Sequence, residues 1–153
     1  MDAEARLAEL KLTLPPPPKP IATYRPAVRL GNLLYVSGHG PLKPDGTLML
    51  GRLGDDLDVA GGQAAAKQVG LAILATLKDQ LGTLNKVSRL IKVLGLVNCT
   101  ADFADQPKVI NGFSDLMVEV FGEPGKGARS AVGTNSLPGH IAVEIEAIFE
   151  IQD

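Results

Sequence analysis

The stretch ARSAVGTNSLPGHIAVEIEAIFEI (residues 128–151) decides how this chain folds. From Ile141 onward the side chains alternate: Ile141, Val143, Ile145, Ala147 and Phe149 fall on one face, Ala142, Glu144, Glu146, Ile148 and Glu150 on the other. A period of two belongs to a half-buried β-strand, and it fixes the register, because a slip of one residue would turn glutamates into the core. Residues 128–134 read as a second strand, joined to the first by a turn at Asn135 to Gly139. Paired as a hairpin, the two would set Arg129 opposite Glu146 and Ala131 opposite Glu144, with all four side chains on one sheet face.

Upstream, Asp105 stands as an N-cap before a helix from about Gln106 to Phe121, whose stripe is Val109, Ile110, Phe113, Leu116, Met117 and Val120, with Gly122 beyond its end. Residues 88–100 are β-branched and apolar almost throughout, as in a strand covered on both faces. The spacing of Val69, Ile73, Leu77 and Leu81 predicts a helix over 60–81, stopped by Gly82. Residues 21–28 and 32–37 predict a hairpin about Leu30-Gly31-Asn32, and a short strand at 47–50 follows the Pro44-Asp45-Gly46 turn. Ala3, Leu7 and Leu10 give a short helix that ends before Pro15 to Pro18. Residues 1–20 are therefore an extension, helix plus proline-rich segment, on a single domain of residues 21–153. Strands and helices in this order imply an α+β, two-layer fold: a mixed sheet with two helices on one face. The apolar run at 91–97 then lacks cover on its second side, which a ring of subunits would supply.

Composition narrows the function. The chain has 153 residues, 15 Lys plus Arg against 17 Asp plus Glu, one cysteine and two histidines. The length suits one core. A net charge of -2 is a poor match for nucleic acid or an anionic membrane, both of which reward a basic surplus. Cys99 alone forms no internal disulfide and two histidines are too few for a Cys/His zinc site, so the chain reads as cytoplasmic and metal-free. No apolar run approaches the roughly 20 residues of a membrane span. Apolar residues make up 45% and aromatics only 4%, so the core must be aliphatic.

The charges of the C-terminal hairpin admit two readings. One is a solvated salt-bridge ladder of little energetic value. The other is an anion site in which Arg129 grips a carboxylate through its planar fork while a glutamate orients a water. His39 is either a proton shuttle or a packed turn histidine. His140 reads as surface, Cys99 as core, and Asp55, Asp56 and Asp58 as a solvated loop without calcium-binding spacing.

The ending ARS followed by LPGHIAVEIEAI resembles the signature of the Rid family, formerly the YjgF family, which reads ARS…LP…(V/I)EIEAIA. GNLLYVSGHGP resembles its GN…SGQ(I/L)P hairpin, Gln63 matches a glutamine that opens its first long helix, and ADFADQPKVINGFSDLMVEVFGE resembles its DF…VN..Y..FF segment. The resemblance covers residues 21–151. It implies a chorismate-mutase-like homotrimer with clefts between subunits and no cofactor. Such proteins hydrolyse reactive 2-enamine and 2-imine acids to 2-keto acids and ammonia. By position, Arg129 would bind the substrate carboxylate, Glu144 would hold the attacking water, and Tyr24, Ser37, Gly38, His39 and Ala131 would line the pocket. Ala131 replaces a frequent cysteine and His39 a glutamine, which implies a reshaped pocket. The rival functions are a non-catalytic, chaperone-like binder of small carboxylates and an endoribonuclease or translation inhibitor.

Overall fold

The computed structural model describes residues 2–153. Helix α1 (Ala3–Glu9) is followed by β1 (Ala27–Leu30), β2 (Leu33–His39), α2 (Val59–Leu81), β3 (Val87–Asn98), α3 (Gln106–Phe121), β4 (Ala128–Thr134) and β5 (Val143–Ile151). The strands form one mixed sheet in the order β1-β2-β5-β3-β4, in which only β3 and β4 run parallel. Helices α2 and α3 lie together on one face of it, giving the expected α+β layers.

Local chemistry sets the helix ends. Asp58 Oδ1 accepts the N–H of Gly61 at 2.8 Å to start α2, and Gly82 ends it at φ 82°, a conformation a Cβ would strain. Asp105 occupies the N-cap position of α3 without capping it; its carboxylate pairs with Lys108 Nζ at 3.5 Å instead. The two helices cross at very close range. A Cβ built on Gly112 would lie 2.1 Å from the carbonyl oxygen of Gln63, and Gln63 Nε2 donates to the Lys108 carbonyl at 2.9 Å. Every residue of α2 from Val69 to Leu77 is buried. The sheet and α3 cover part of its circumference, and the N-terminal extension reaches the remainder through Leu7, Leu12, Leu14 and the buried Pro15, beside Ala75. The extension is thus built into the same core, with Leu7 only 7% exposed.

Residues 128–151 do not form the expected hairpin. β3 lies between β4 and β5, and β4 is the return strand of a β3–α3–β4 crossover, which demands a parallel pair. Val93 faces Arg129 on one side and Ala147 on the other, whereas Leu96 pairs with Glu144 and Leu94 with Glu146. Arg129 and Ala131 therefore turn toward the helices, and the two glutamates toward the opposite face. The strand expected at 47–50 is also missing as such: Leu48 and Leu50 make only isolated bridges, to Leu42 and Ile141.

That opposite face has no helix. Val28, Tyr35 and Val132 are exposed on it, Leu94, Leu96 and Ile148 are half-buried, and a groove of about 560 Å³ runs between Tyr35, Lys92, Ser130 and Glu146. Among the described residues no helix is long and apolar enough to cross a membrane.

Candidate active site

The corner at the end of β2 gathers most of the expected residues. A register shift between Val36 and His39 breaks the pairing with β5 and lifts Ser37 and Gly38 out of the regular ladder. Ser37 Oγ donates to the Arg25 carbonyl at 2.5 Å, tying the corner to the segment that carries Tyr24. Gly38 leaves room for Glu144: a Cβ there would stand 2.9 Å from Glu144 Oε2. Tyr24, Gly38 and His39 line one cavity of about 300 Å³, and Gly38 is its link to Glu144.

Glu144 is half-buried, and burial first, then the neighbouring Glu146 carboxylate, raise its pKa above the ordinary value. A carboxyl of raised pKa is a better proton acceptor than an exposed one and keeps its proton to higher pH, which suits acid–base work.

His39 is placed differently from a shuttle. Its backbone borders the cavity, but the ring is 5% exposed and pairs β2 with α2: Nδ1 lies 2.6 Å from the Ser37 carbonyl oxygen and Nε2 2.7 Å from Thr76 Oγ1. A carbonyl only accepts, so Nδ1 carries the proton and Nε2 accepts from the Thr76 hydroxyl. Burial lowers the pKa of His39, keeping the ring neutral.

Arg129 and Ala131 stand apart from this corner, on the other sheet face. Arg129 Nη1 donates to Asn111 Oδ1 at 2.9 Å and to Ser114 Oγ at 3.1 Å, and Nη2 reaches the Pro107 carbonyl at 3.4 Å, all on α3. These bonds leave the Nε–H and the second Nη2–H, which together form a bidentate fork for a carboxylate. Among the described residues no carboxylate forms a salt bridge with it. Ala131 packs at the edge of the core. The ladder joining Arg129 to Glu144 and Glu146 does not exist in this chain.

Asn111 and Ser114, which aim the guanidinium, were not singled out by sequence; their signal is a polar edge three residues apart beside the apolar stripe of α3. Thr76 had a clearer one, a lone hydroxyl inside an otherwise apolar run from Val69 to Leu77. Asp56 accepts the Arg52 N–H at 2.6 Å and Asp58 caps α2, so both have structural partners. Cys99 is a buried thiol and His140 is exposed. Among the described residues no three His, Cys, Asp or Glu side chains converge as a metal site.

Comparison with known proteins gives this geometry a context. The family described as "YjgF/chorismate_mutase-like, putative endoribonuclease" matches residues 4–145. Protein TCP17 of Trypanosoma cruzi is 40% identical over 97% of this chain and 94% of its own length. The 2-iminobutanoate/2-iminopropanoate deaminase of Dermatophagoides farinae is 30% identical, covering 92% of this chain and 95% of its own. The crystal structure of a "putative endoribonuclease" from Shewanella oneidensis superposes with a TM-score of 0.94 at 30% identity, over 99% of this chain and all of that one.

Proposed function

Since the chain belongs to the YjgF/Rid family, we propose that it hydrolyses reactive 2-imino acids and their enamine tautomers to 2-keto acids and ammonia, in clefts shared between subunits of a homotrimer. The observation that carries this reading is Glu144, a half-buried carboxyl of raised pKa seated against Gly38, a residue that also lines a small cavity. An imine carbon is already electrophilic and needs chiefly a placed water and proton transfer. The Glu144 carboxylate takes a proton from water as the water oxygen bonds to C2, and the C=N electron pair moves to nitrogen, which receives that proton from Glu144. In the collapse of the carbinolamine Glu144 carries the hydroxyl proton to the amine as the C–N bond breaks, C=O forms and ammonia leaves. No electrons are gained or lost.

The substrate carboxylate goes to the free fork of Arg129. Because Arg129 and Glu144 lie on opposite faces of one sheet, the pair that meets a single small substrate comes from two subunits. The same assembly covers the helix-free sheet face. The likeness to a protein named as an imine deaminase supports the chemistry, while the net charge of -2 weighs against RNA as substrate.

The test is hydrolysis of 2-aminoacrylate or 2-iminopropanoate generated in situ. Glu144→Gln is expected to lower kcat by about 10²- to 10⁴-fold, the ordinary worth of a general acid–base, and Arg129→Ala to raise KM. Binding of 2-ketobutyrate without any turnover would leave only a carboxylate-binding role, and RNA cleavage by pure protein that Arg129→Ala abolishes would replace the reading outright.

A further inference from the structure

The cavity beside Glu144 is larger and greasier than a methyl-bearing substrate needs. Its walls include Ile21, Tyr24, Leu42, Leu48 and Pro26, and Lys19 is the one fully charged side chain on them. Eight large apolar residues are exposed among those described, and three of them, Ile21 at 96%, Tyr24 at 49% and Leu48 at 42%, meet at this one cavity rather than scattering. Gly38 joins the recess to the acid–base group, because it both lines the cavity and touches Glu144. Glu144 does not itself line the recess; Gly38 is the residue the two share, so a substrate at the carboxyl reaches the apolar walls across that glycine. At about 300 Å³ the space is at the small end of ligand sites, enough for a branched aliphatic side chain and largely unfilled by a methyl.

We infer that this site takes 2-imino acids with large apolar side chains in preference to 2-iminopropanoate, with Ile21, Leu42 and Leu48 setting the specificity. The inference rests on the deaminase reading above and names its substrate class. Each methylene buried in an apolar pocket is worth roughly tenfold or more in selectivity, whereas a methyl substrate leaves these walls wet.

The experiment compares 2-imino-4-methylpentanoate with 2-iminopropanoate, each made in situ from its amino acid by an amino-acid oxidase, with ammonia release as the readout. The expected kcat/KM ratio favours the branched substrate by at least about tenfold. Ile21→Ser and Leu48→Ser are each expected to cut that ratio by about threefold or more; Ile21 is almost fully exposed, so its replacement leaves folding intact. Equal rates, or a preference for the methyl substrate, overturn the inference while the deaminase reading stands. Should neither imine be hydrolysed, the deaminase reading falls, and calorimetric titration with 4-methyl-2-oxopentanoate and pyruvate still decides the recess: tighter binding of the former supports it and equal binding refutes it. A changed hydrodynamic mass in Ile21→Ser with an unmoved ratio would make the patch a subunit contact and refute it as well.

Discussion

Gly38 holds the most closely argued position in the molecule. Any side chain there meets Glu144 Oε2 at 2.9 Å, and the carboxylate, as the far end of a flexible chain, is what gives way. Gly38→Ala should therefore keep the fold, checked by circular dichroism, and lower kcat by about 10²-fold, the usual cost of misplacing a catalytic group by an ångström. His39 makes a different prediction. Its folded pKa lies below the ordinary 6.5, so the unfolded chain binds the proton more readily. This contribution to stability is complete above about pH 6.5 and is lost as pH falls through the folded pKa. Thermal melts between pH 7 and 5 should show that slope, and His39→Ala should flatten it while costing about 2–4 kcal/mol for two buried hydrogen bonds and a void. The resemblance grouped Gly38 with Glu144, and the two do touch; for His39 the sequence left a proton shuttle and a packed turn histidine both open, and the ring is packed. Its partner Thr76 lies 37 residues away, and no local pattern encodes that contact.

At the level of elements, α2 and α3 depend on close approach as much as on apolar stripes. Gly112→Ala would drive a methyl into the Gln63 carbonyl, a backbone atom that moves only if the helix moves. A loss of at least about 1–3 kcal/mol is expected by urea denaturation, with the loss concentrated at the α2–α3 crossing in hydrogen exchange. Both helices were legible because a 3.6-residue stripe is a local signal, and β5 because alternation is. Strand partnership was not. Residues 128–134 and 143–151 are neighbours in sequence, and alternation says which way side chains point without saying which strand they face. The clue was available in β3, apolar on both faces and so central, followed by a helix and then a strand, the order of a parallel crossover. Missing it put Arg129 on the wrong face.

For the whole molecule, the proposed function together with the separation of Arg129 from Glu144 predicts that activity depends on assembly. A hydrodynamic mass near three times 16.0 kDa is expected. Subunits of Arg129→Ala and Glu144→Gln, each impaired alone at low substrate, should regain activity when unfolded and refolded together: random assembly in equal amounts returns about a quarter of the sites with both groups intact. No recovery would place both groups in one subunit's site. The aliphatic excess seen in the sequence fills the layer between sheet and helices, and its surplus lies on the helix-free face. The central position of β5 bears on how the chain is made. β2 and β3 touch each other only through β5, residues Val143–Ile151, which follows both of them in the chain. Until those residues leave the ribosome, the nascent chain holds a β1–β2 hairpin and a β3–α3–β4 unit with nothing between them, and each presents an unpaired edge. The sheet therefore closes only once β5 has been made, and a nascent protein that stops at residue 142 should be a substrate for chaperones and proteases rather than a smaller folded domain.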